Sequence, residues 1–263
     1  MFDRAARLLA SAPIPANVRR LIGSRWPKSL TREGRFENYV RSMPSEYRAR
    51  FDDQAMRRHA AIVHARNASP VHVGVLQSER GIGICIVADD RPGLLSAMTA
   101  ALAFSELDVE GAEAYCRSRD DGRVEAVDFF WLLRGDRVDV DRLSFVLQRL
   151  LEADGEVALT PETESERTQR VSSPPHSIRF EEDELLVVHC ADRRTVLPSI
   201  THALFASRAS ITSSDVRVTA GRLYARFALV EFDGSTLSEL RRVSVIERVS
   251  KAIASDDSPR NAG

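Results

Sequence analysis

Three cysteines in 263 residues, Cys85, Cys116 and Cys190, are too few and too scattered for a disulfide framework or a Cys-x-x-Cys metal site. They read as small buried thiols in a reducing, cytoplasmic compartment. No apolar run approaches the ~20 residues that a membrane-spanning helix needs, and the opening MFDRAARLLASAPIPA is too brief and mixed for a secretory signal. Net charge is nearly absent as well: −1 at pH 7, with a pI near 6.6, leaves no chain-wide electrostatic footprint for nucleic acid. Paired metal-binding histidines are also missing. His59 and His64 stand five apart on a helical stretch and so fall on different faces, which reads them as surface residues, and His189 and His202 read as packing or surface residues.

What is present is the mix of a folded chain, 43% hydrophobic and 29% charged, with length for about two domains plus accessory segments. Charge is segregated along it. Residues 1–50 hold eleven Arg/Lys against four Asp/Glu, and the stretch from Glu152 to Glu184 holds ten acidic residues against three basic ones. Mutual attraction of the two is one reading, and a solvated surface with a charged linker is the plainer one.

The pattern divides the chain into a basic, poorly ordered segment 1–32, a helical segment 33–66, a first α+β domain 70–160, a linker 161–180, a second α+β domain 181–255 and a tail 256–263. Within 33–66 the helix breaks at Met43–Pro44, where the ring disfavours helix for the residue before it. Asp52 or Asp53 caps the last piece, which places Met56, Ala60 and Val63 on one face. The period then changes to strands over 71–75 and 82–87. A helix carrying Leu94, Leu95, Met98, Ala101 and Leu102 follows, then a hairpin around Asp120-Asp121-Gly122, a helix from Asp139 or Asp141, and a closing strand near Val157–Leu159. This is strand-helix-strand-strand-helix-strand. The same order starts again at Glu184, and Asp90-Arg91, Leu95, Ala101-Leu102, Ser105 and Val109 recur 102 positions later as Asp192-Arg193, Leu197, Ala203-Leu204, Ser207 and Ile211.

The candidate site is the turn Asp90-Arg91-Pro92-Gly93 leading into Leu94-Leu95, with Asp192-Arg193 as its second copy. A helix start presents unpaired N–H groups and a positive dipole end, which suits a ligand carboxylate. Pro92 suits the first helical position, Gly93 permits close approach, and Asp90 can cap the helix or accept a ligand ammonium. A capped turn with no ligand explains the same residues. In the second copy, Arg194-Thr195-Val196 replaces Pro92-Gly93-Leu94, and the bulk of Thr195 and Val196 makes the first loop the better suited of the two. Phe129 and Trp131 alternate with Phe130 and Leu132, placing large apolar groups on both faces of one strand, so the two modules are expected to pack together.

The run ADDRPGLLSAMTAALAFSELDVEGAEAY resembles the ACT domain over residues 82–160, and more weakly over 184–254. The segment YVRSMPSEYRARFDDQAMRRHAAIV is similar to the one preceding the ACT pair in bacterial bifunctional uridylyltransferase/uridylyl-removing enzymes, which sense glutamine. The resemblance implies two ferredoxin-like βαββαβ domains in tandem. It also implies a regulatory protein of nitrogen or amino-acid metabolism that binds an amino acid or similar small metabolite, with no cofactor, metal, nucleic acid or membrane, and with a homodimer mate or a regulated protein as partner. That enzyme's catalytic marks are lacking: Gly23-Ser24 has no Asp-x-Asp nearby, Asp139-Val-Asp141 lies far off, and no His-Asp doublet occurs. An interaction protein without a ligand, or a uridylyltransferase relative without its catalytic domains, are the alternatives.

Overall fold

The computed structural model describes residues 32–67, 69–78, 81–133, 138–153, 176–181 and 184–256, and the chain divides into two compact units, 1–60 and 61–263. The expected segment 1–32, the closing strand near Val157–Leu159 and the tail lie essentially outside the described residues. No described helix is long and apolar enough to cross a membrane.

In the first unit α1 (Arg32–Ser42), α2 (Ser45–Arg50) and the start of α3 (Asp53–Ala65) follow the expected break at Pro44, whose extended backbone precedes α2. Asp52 caps α3, its Oδ1 accepting the Ala55 N–H at 2.7 Å. The expected surface histidine, His59, is instead buried at 2% exposure. Its Nδ1 lies 2.8 Å from the Tyr47 hydroxyl, which accepts from the Tyr39 hydroxyl at 2.8 Å, and the Phe51 ring packs edge-on against it. Periodicity placed His59 away from His64, and the Tyr47 hydroxyl gives the buried imidazole a hydrogen-bond partner that the pattern alone did not reveal.

The second unit is built on one antiparallel sheet of β1 (Val71–Ser78), β2 (Gly81–Asp89), β3 (Val109–Ser118), β4 (Val124–Leu132), β5 (Ser177–Glu181), β6 (Leu185–Ala191), β7 (Ala209–Thr219) and β8 (Arg222–Glu231). Their spatial order is β1-β2-β4-β3-β7-β8-β6-β5. Helices α4 (Leu94–Phe104), α5 (Val140–Glu152), α6 (Val196–Ala206) and α7 (Glu239–Asp256) share a single core with alternate strand residues, among them Ile84, Ile86, Phe130, Val188 and Phe227. Leu143 and Leu147 of α5 are fully buried at helical spacing, and Asp139 caps that helix by accepting the Arg142 N–H at 2.9 Å.

Among the described residues each half therefore runs strand-strand-helix-strand-strand-helix, which corrects the expected order. The leading strands β1 and β5 pair with the outer edges of β2 and β6, the position a closing strand would take in the expected order. The physical reason is proximity. A strand joined to its neighbour by a short connection pairs with it at low loop-closure cost. Ile178 and Phe180 of β5, within and at the end of the expected linker, alternate inward against the core.

The two halves are joined through β3 and β7 and through α4 and α6. Gly111–Ala114 pair antiparallel with Ser214–Arg217, placing Glu113 opposite Asp215. Thr99 Oγ1 lies 2.8 Å from Thr201 Oγ1, a pair 102 positions apart. Both α4 and α6 occupy positions 102 apart, as do the β-bulges after Val109 and Ile211 and the positive-φ residues Glu106 and Arg208. A two-fold arrangement follows, its axis passing between the threonines and between Glu113 and Asp215.

The face of the first half turned away from these helices is closed too: Val87 and Phe129 are fully buried and Trp131 nearly so. At its end the buried Arg66 reaches Glu125 at 2.6 Å and Asp89 at 2.8 Å, while Arg117 meets Glu125 at 2.6 Å. The corresponding face of the second half is open. Its shallow basin holds Arg179 and Arg217, which are paired with Glu181 and Asp215, and His189, which packs edge-on against Tyr224.

Two candidate ligand clefts

The predicted site residues gather in two clefts, each formed by the strand-to-helix loop of one half and the first helix and following strand of the other. Asp90, Arg91, Pro92, Gly93, Leu94 and Leu95 all line the first, facing Thr201 and Phe205 of α6 and the start of β7. Asp192 and Arg193 line the second, facing Thr99 and Ala103 of α4 and the start of β3. Most residues that sequence reasoning missed are those contributed from the opposite half, because nothing in a single chain's pattern says which surfaces meet across the axis.

The first loop is tighter than a capped turn requires. Pro92 lies before the helix rather than at its first position, and Gly93 is the residue at the cap, with φ +81°. Asp90 does not cap α4. Its N–H pairs with the Val124 carbonyl, and its side chain meets the Cys116 thiol. A Cβ on Gly93 would stand 2.9 Å from the Phe205 ring, so this glycine is required both by its backbone angle and by the close ring above it. Arg91 turns outward and donates to the Leu151 carbonyl at the end of α5. Thr195, the counterpart of Gly93, has an ordinary right-handed conformation, φ −90°.

Acidity distinguishes the first cleft. Asp128 of β4, on the same cleft, is 3% exposed, and burial together with the neighbouring Asp90 charge pushes its carboxyl up to about 8, against a backbone hydrogen bond from Tyr115 that lowers it. Burial also raises Asp90. Cys116 and Cys85 are held firmly as thiols by burial and these carboxyls. Sequence reading missed Asp128, which sits within a strand of otherwise apolar residues, and that interruption of VDFFW was the available signal.

The second cleft is opened differently. Arg194 makes a bidentate ion pair with Asp108, at 2.5 and 3.0 Å, on a surface where both side chains stay more than a third exposed. Burial and the nearby Asp108 raise Asp192. The cavity is about 220 Å³, against about 30 Å³ for the first. Ala103 faces the second cleft where Phe205 faces the first.

No group of three metal-ligating side chains occurs among the described residues. The arrangement is that of an α+β protein with two inter-half clefts. No family model matches the chain. Among curated proteins it is similar to the bifunctional uridylyltransferase/uridylyl-removing enzyme of Gluconobacter oxydans (strain 621H), 25% identical over 213 residues, which are 74% of this chain and 22% of that enzyme. The similarity supports a relationship to part of that enzyme, and this chain spans 22% of its length. Among solved structures, an unknown protein from Galdieria sulphuraria aligns over 65% of this chain and 92% of its own, at 17% identity and a TM-score of 0.20.

Proposed function

We propose that this chain is a non-catalytic regulatory protein in which two ACT-type modules, the second a repeat of the first, bind an amino acid or similar small metabolite at the clefts between them and pass its occupancy to a partner. The observation that carries this reading is that all eight sequence-selected residues line cavities, and that each cavity needs both halves. A ligand touching the loop of one half and the helix of the other binds one relative packing better, and it shifts the population by that difference in affinity. The partial similarity to a uridylyltransferase/uridylyl-removing enzyme is compatible with a regulatory role in nitrogen or amino-acid metabolism. The reading assigns no chemistry to the chain. Equilibrium dialysis of the full chain against each of the twenty amino acids tests it, alongside assays for uridylyl transfer and phosphoester hydrolysis. Retention of an amino acid without turnover supports it, and metal-dependent turnover lost on mutating a carboxylate of this chain contradicts it.

A further inference from the structure

We infer that the second cleft is the working one, and that it takes a zwitterionic α-amino acid with an uncharged side chain by exchange for the Arg194–Asp108 ion pair. This rests on the amino-acid reading above and reverses the preference for the first loop that side-chain bulk suggested.

Room decides first. Phe205 fills the first cleft over Gly93, leaving about 30 Å³, enough for about one or two waters. At the equivalent place Ala103 leaves the second cleft about 220 Å³.

Charge decides second. A ligand carboxylate entering the first cleft meets the Asp90 carboxylate, with the buried Asp128 beside it supplying no cation, while the Arg91 guanidinium donates to the Leu151 carbonyl. In the second cleft the internal pair already presents the two charges a zwitterion complements. The Arg194 fork can turn from Asp108 to a ligand carboxylate bidentately, and the ammonium can then take Asp108 and Asp192. The pair being displaced is solvent-exposed and so holds its partners weakly. Pro198, in the first turn of α6, has no N–H to offer, which removes one helix-start donor and leaves more of the carboxylate's recognition to the Arg194 fork. The apolar part of the cleft, Leu102, Ala103, Leu197 and Leu223, supplies no counterion for a side-chain charge.

Calorimetric titration of the full chain with L-alanine, L-leucine and L-glutamine, against L-glutamate and L-lysine, tests this. At least one neutral amino acid is expected to bind more than tenfold more tightly than both charged ones. Ala103→Phe, which copies the plug of the first cleft at a half-exposed position, and Arg194→Gln are each expected to weaken it at least tenfold. Arg57→Ala, at an exposed ion pair outside both clefts, should leave affinity within twofold. Circular dichroism of Ala103→Phe checks its fold, and the exposed Arg194→Gln keeps the test valid if that variant misfolds. Affinity unchanged in Arg194→Gln, or preferential binding of glutamate or lysine, overturns the inference while leaving the amino-acid reading standing. If none of the twenty amino acids binds the wild-type chain, the amino-acid reading fails, and this inference with it.

Discussion

Arg66 shows what a single buried charge does for this fold. It is 4% exposed and donates to the carbonyls of Ser69 and Pro70 as well as to Glu125, itself 2% exposed, so it fastens the segment after α3 to the start of β4. Without Arg66, Glu125 keeps Arg117 at 2.6 Å and Arg119 at 3.6 Å but loses its most deeply buried partner, and the Ser69 and Pro70 carbonyls lose their donor. Arg66→Ala is therefore expected to cost about 3 kcal/mol, the lower end for breaking a buried pair, measured as a lowered urea midpoint, with Arg57→Ala at the exposed Glu33 pair as a control expected to move the midpoint little. Comparable losses would mean that the buried cluster contributes no more than a surface pair.

Asp128 is the residue whose ionisation the fold opposes. Its carboxyl, pushed up to about 8, stays protonated in the folded chain while the unfolded chain ionises near the ordinary 3.8. The unfolded state then binds fewer protons, so this group's contribution to stability falls as pH rises from about 4 to 8 and levels off above that. Asp128→Asn should be less sensitive to pH, with a smaller drop in melting temperature between pH 5 and pH 9 than wild type. Identical drops would show that Asp128 is ionised in the fold.

At the scale of the element, the strand-to-helix loops were the most legible feature, because Asp-Arg-Pro-Gly-Leu-Leu combines turn, cap and apolar-stripe signals in six residues. The helices α3, α4 and α5 followed from periodicity for the same reason. What periodicity could not supply was pairing. Val71–Ser78 alternates as a strand whichever edge it joins, and Ile178–Phe180 is too short to stand out from the polar stretch around it. Nor could it supply the partner above Gly93. If Gly93 served only to let a ligand approach, Gly93→Val would weaken that ligand and spare the fold, whereas φ +81° and the Phe205 ring at 2.9 Å from a Cβ make it a structural position. Gly93→Val is expected to lose about 2–4 kcal/mol, from backbone strain and overpacking together, whereas Thr195→Val, with ordinary backbone angles, is expected to lose under about 1.5 kcal/mol. A Gly93→Val protein that melts like wild type would contradict the tightness of this loop.

At the scale of the molecule, the expectation that the halves pack together corresponds to a stronger arrangement: one continuous sheet, β3 on β7, and two helices meeting at Thr99 and Thr201. The 102-residue spacing was visible in the sequence, but its geometric meaning, a two-fold axis that creates two clefts at once, was not. Near-symmetry also shows the differences. Phe205 against Ala103, Arg194 against Pro92, and Asp128 against Ala225 make one cleft plugged and acidic, and the other open and of mixed charge.

A protein whose two halves are bridged by a ligand must be stabilised by that ligand. The direct test is the thermal melt of the full chain with each of the twenty amino acids and with common nucleotides, each at saturating concentration. At a hundredfold excess over Kd, mass action contributes ~2.7 kcal/mol, which for a unit of this size raises the melting temperature by roughly 5–10 °C. The account predicts such a rise with at least one amino acid and none with nucleotides. A melt unmoved by every amino acid, or moved by nucleotides alone, would contradict it.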